Sequence, residues 1–60
     1  MSGLPEWWPP AAGAVLEDAD HGRGIVCEDA VVQWSDGHRD LDVFDLREDV
    51  EEGRVILLMA

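Results

Sequence analysis

Lysine and tyrosine are absent from this 60-residue chain, cysteine occurs once, and only four arginines stand against fourteen aspartates and glutamates. Each shortage excludes something. A single cysteine, Cys27, rules out an intrachain disulfide framework and suits a reducing compartment, so a cytoplasmic location is expected. A formal net charge of -10 repels a phosphate backbone, which argues against direct nucleic-acid binding. No stretch approaches the roughly 18 apolar residues of a membrane span, and the start lacks a basic and then apolar leader, so no membrane role is expected. Acid-rich small proteins of this kind are frequent in phages and in GC-rich bacteria.

Length bounds the fold. A domain of this size buries only about 60% of the surface its unfolded chain exposes, so it is marginal alone and gains from a partner or a second copy. The most informative stretch is Val31 to Val43, where two alternating runs flank Asp36-Gly37 and read as a β-hairpin. In it Val32 and Trp34 share an inward face, while Val31, Gln33 and Ser35 face outward. Beyond the turn Leu41 and Val43 are expected to point inward, with Asp40 and Asp42 in water.

The other elements follow from composition. Residues 1–13 hold Gly3, Pro5, Pro9, Pro10 and Gly13 and are expected to be an extended arm, because each proline removes an amide donor and restricts its predecessor. That arm carries Trp7 and Trp8, which either cap an open end of the domain or anchor a partner. A first strand is expected over Ala14 to Glu17, a loop with solvated aspartates over Asp18 to Gly24, and a second strand over Ile25 to Glu28. Glu28-Asp29-Ala30 is a tight connection. Phe44 to Leu46 suggests one helical turn, with Asp45 and Glu48 as its capped start, and Gly53 ends it. Val55 to Met59 is apolar on both faces, so something must cover its outer side.

Chemistry is tested against these positions. Asp18-x-Asp20-x-Gly22 with Asp29 imitates a calcium loop poorly, since Arg23 stands where the turn needs glycine and flanking helices are missing. His21, His38 and Cys27 lack the paired short spacings of a zinc site; the histidines read as surface loop residues and Cys27 as a small buried hydrophobe. Ser35 or Cys27 would need a positioned base and a water-free cleft, which so small a domain does not offer, so no enzymatic activity, no metal and no cofactor are expected.

Five short strands, a tight central hairpin and a late helical turn resemble an SH3-like barrel of the Tudor and PWWP group over residues 14–59. The resemblance is carried by Gly13 and Val15, Gly24 and Val26, Val32-x-Trp34-x-Asp36-Gly37, and Asp45-Leu46. Glu6-Trp7-Trp8-Pro9-Pro10-Ala11 is also similar to the Pro-Trp-Trp-Pro signature of PWWP domains, although Glu6 replaces neither tryptophan and follows Pro5, and no strand can precede it. The fold class expected is therefore all-β, a small five-stranded SH3-like barrel (14–60) with an extended N-terminal arm and one short helical turn. The resemblance implies a cage of aromatic rings for methylated lysine or arginine. This chain lacks the usual tyrosine, so only Trp7, Trp8 and Phe44, with Asp42 or Asp45, would build one.

Two functions are expected in competition. One is a protein-interaction module, as a homodimer or small subunit, binding through Trp7, Trp8 and Leu57, with Asp40, Asp42, Asp45 and Glu48 as an acidic rim that steers a basic partner. The other is a nucleic-acid mimic that presents seven carboxylates between Asp40 and Glu52 to a basic enzyme. A solvated acidic face is the plain alternative to both.

Overall fold

A computed structural model describes residues 3–60, so the first two positions of the expected arm lie outside the described residues. Strands β1 (Val15–Asp18), β2 (Gly22–Val26), β3 (Val32–Trp34), β4 (Arg39–Asp40) and β5 (Val55–Met59) form one antiparallel sheet in the order β4-β3-β2-β1-β5. A 3-10 turn (Val43–Leu46) runs into the short helix α1 (Arg47–Glu51) before β5. The protein is thus mostly β, as expected. The sheet does not close: β4 and β5 are both edges.

Alternation along the strands explains the core. Leu16, Gly24, Val26, Val32, Trp34 and Val55 point to one side of the sheet and are buried. Val43, Leu46 and Val50 cover that side from the 3-10 turn and α1, completing one apolar cluster. Leu16 and Val32 are fully buried, and Val55 nearly so at 1% exposure. Trp34 packs directly over Gly24, its partner in register, where an added Cβ would lie 2.5 Å from the indole Cε3.

The hairpin reverses at Asp36-Gly37 with a three-residue loop. Trp34 N–H donates to His38 O at 2.8 Å, Gly37 N–H to Trp34 O at 3.0 Å, and Gly37 takes φ +95°. A glycine in the left-handed region after a tight turn is the usual chemistry of such loops. Val31, expected on the outer face, is buried at 8% because it precedes β3 and its alternation.

Several boundaries differ from expectation. The first strand runs on to Asp18, and β2 begins at Gly22 rather than Ile25 and ends at Val26, leaving a loop of only Ala19-Asp20-His21. Glycine content suggested a long loop, but Gly24 serves inside the strand, where only a missing side chain admits Trp34. Asp18 is not solvated: it is buried, and its Oδ2 accepts from Asp20 N–H and His21 N–H at 2.9 Å each, fastening the loop. Asp40, in register with buried Val32, takes the inward position, so Leu41 turns outward and is 76% exposed, while Val43 reaches the core from the 3-10 turn. The turn's cap is Asp42, whose Oδ1 accepts from Phe44 N–H at 3.0 Å, rather than Asp45. Cys27 is half-buried.

Candidate functional site

The arm is tied to the sheet and its indoles lie on the core. Gly13 N–H donates to Val26 O at 2.7 Å, Val26 N–H to Ala14 O at 3.0 Å, and Trp8 N–H to Pro5 O at 3.1 Å. Leu4, Trp7, Trp8 and Leu57 are partly buried against the apolar cluster. Trp7 meets Trp8 at 6.2 Å between centroids and 68°, and Trp8 meets Phe44 at 6.0 Å and 84°. Both are edge-to-face contacts, favoured by the ring quadrupoles. Trp7 and Leu57 also line an apolar hollow of about 220 Å³ with Pro9, Pro10 and Ala14. Three of the seven expected site residues therefore gather at one end of the domain.

The four expected acidic residues have separate duties. Asp40, expected in water, is half-buried and its Oδ2 accepts from the Trp34 indole N–H at 2.7 Å. Satisfying that donor is what permits a buried tryptophan here. Asp42 is the cap already described. Asp45 and Glu48 are exposed. The later carboxylates are partly neutralised: Arg47 Nε donates to Glu51 at 3.2 Å, and Arg54 Nη2 reaches Asp49 at 2.6 Å and Glu52 at 2.9 Å.

A polar cluster at the loop end was not foreseen from sequence. The β1–β2 loop carries His21 onto the β3–β4 loop, where its ring stacks on His38 at 4.2 Å and 5°. His21 Nδ1 donates to Asp36 Oδ2 at 2.7 Å, and His38 Nε2 lies 3.5 Å from Asp40 Oδ1. The Asp36 hydrogen bond raises the His21 pKa above the usual 6.5, while that bond and the His38 backbone N–H lower Asp36 below 3.8. No signal short of knowing that two three-residue loops lie side by side could have paired residues fifteen positions apart.

These shifts predict a pH window. His21 adds stability in full below its unfolded value near 6.5, and this is lost as pH rises through the higher folded value. Asp36 adds stability above 3.8, lost as pH falls through its lower folded value. The pair thus helps most between these two unfolded values. Urea midpoints of the native chain and of Asp36→Asn should differ most between those two values, and the gap should narrow without vanishing as pH rises past the raised His21 value, because Asp36 keeps the His38 backbone N–H. A gap that stays constant through that rise would show that the pair is not the cause.

The outer face of the sheet is the remaining surface of note. Ile25, Ile56, Leu58 and Met59 are 41–67% exposed there and on the β5 edge, and Val15 lies between Ile25 and Met59 in register. Among the described residues no three histidine, cysteine or acidic side chains are placed to hold a metal ion, and no helix is long and apolar enough to cross a membrane. No protein-family model, curated protein or solved structure matches the chain.

Proposed function

We propose that this chain is a small acidic protein-interaction module on an SH3-like framework. Support for the framework comes from the five short strands, the tight β3–β4 hairpin and the helical turn before the last strand. The observation that carries the function is β5: an edge strand, Val55–Met59, without a charge or a proline, whose Ile56, Leu58 and Met59 are left in water. Natural edge strands are normally blunted by charge, proline or cover, and an unprotected apolar edge is a place where another chain adds. The hollow beside Leu57 and Trp7 adjoins the same strand and would take one large apolar side chain. The nucleic-acid mimic has less support, because Arg47 and Arg54 already engage three of the acidic residues it would present.

Ile56→Arg tests the proposal. Ile56 is 46% exposed on the outer face of β5, opposite Glu17 and outside the core, so the variant should melt within a few degrees of the native chain. Proteins retained from a host extract by the native chain should be lost from the variant. Identical retained sets from the two would remove the β5 face as the binding surface.

A further inference from the structure

Charge on this molecule is segregated. The outer face of the sheet carries Arg23 on β2 and Arg39 on β4, with Glu17 as its single carboxylate. Their placement follows from alternation: Arg23 lies between Gly22 and buried Gly24, Arg39 is in register with outward Gln33, and its neighbour Asp40 turns inward to Trp34. Both arginines are exposed, and among the described residues neither forms an ion pair. Thirteen carboxylates and the two remaining arginines therefore lie elsewhere.

On the other side of the core, the 3-10 turn and α1 bury Val43, Leu46 and Val50 and expose Asp42, Asp45 and Glu48 together with Arg47, which is paired to Glu51. Two large apolar side chains flank Asp42 in sequence, Leu41 at 76% exposure and Phe44 at 57%, the latter edge-on to Trp8. One face is thus apolar with two guanidiniums and one carboxylate, around Ile25 and Ile56, and the other, carrying Leu41 and Phe44, has three exposed carboxylates and a single arginine already paired to Glu51. They complement each other in both respects.

We propose that the outer sheet face of one copy docks on the Leu41/Phe44 face of the next, a head-to-tail contact between copies of this chain. It rests on the interaction-module function above and names its partner. The contact is heterologous, so assembly grows with concentration instead of stopping at a dimer unless the rotation closes a ring. Net charge does not forbid it at physiological ionic strength. The molecule spans 32 × 22 × 19 Å, and screening acts over about 8 Å, so facing groups outweigh the distant excess of negative charge.

Sedimentation equilibrium of the full chain over a dilution series at 0.15 M salt tests the contact. Mass should rise above that of one 6.6 kDa chain as concentration rises, and fall again in 1 M salt. Arg23→Glu with Arg39→Glu should weaken association about tenfold, the size expected from losing two rim charge pairs. Asp45→Arg with Glu48→Arg should do the same. Mixing the two double variants should restore association, which also shows that both are folded. A chain that stays monomeric through the series overturns the proposal. So does a closed dimer that strengthens with salt and ignores both charge reversals, which would place self-pairing at the β5 edge. Either result leaves the module function to the Ile56→Arg capture experiment, which does not depend on self-association.

Discussion

Gly24→Ala should remove about 3 kcal/mol of stability, a third or more of what the fold has. The added Cβ would stand 2.5 Å from Cε3 and 2.9 Å from both Cδ2 and Cζ3 of Trp34, distances at which one partner has to move. Neither can do so cheaply. The indole is anchored at one end by its hydrogen bond to Asp40 and at the other by the direct Gly24–Trp34 register, and it is 4% exposed among core neighbours. Overpacking of a tight core costs about 1–3 kcal/mol, occasionally more, and a rigid ring without an escape route belongs at the upper end. A domain of this length has roughly 3–9 kcal/mol in total. Urea denaturation followed by tryptophan emission would show the loss, and a midpoint shared with the native chain would refute it. Because Gly24 lacks a positive φ, relief of the penalty by Trp34→Leu would assign it to the ring rather than to the backbone.

Leu16→Ala should be at least as damaging, for the opposite reason. Leu16 is fully buried on β1, in register with Gly24 on β2 and Leu57 on β5. Truncation removes its transfer free energy and leaves a void that strands held on both sides cannot fill, about 3–4 kcal/mol in comparable sites. At about 4–8 °C per kcal/mol for a small domain, the melting temperature should drop by more than 10 °C. Leu41→Ala is the matched control. With Leu41 76% exposed, its replacement should change stability by no more than about 0.5 kcal/mol. Equal losses from the two leucines would contradict the burial described for both.

Those two leucines also show what the sequence could and could not reveal. Val32 and Trp34 could be assigned inward from parity alone, because β3 is regular up to the turn. Leu41 reads as inward on paper, but the turn sets Asp40 in register with inward Val32, so the same period of two turns Leu41 outward. Glycine misled in the other direction. Gly22 and Gly24 suggested a loop, whereas the second is required by an indole whose position depends on cross-strand register. The candidate surface divides likewise. Trp7 and Leu57 were identifiable as large apolar groups needing cover, and they meet at one hollow. That Asp40 would serve Trp34, and that the arginines would collect on the outer face, depend on pairings between strands that local patterns do not encode.

The strand order has a consequence for synthesis. β1 lies between β2, its neighbour in the chain, and β5, whose Ile56 meets Glu17 across 38 intervening residues. A nascent polypeptide can form the β1–β2–β3 meander early, yet Leu16 keeps one flank open until Val55–Met59 has left the ribosomal tunnel. Folding on the ribosome therefore waits for the final strand, and a stalled chain released before it would expose Leu16 to chaperones and proteases.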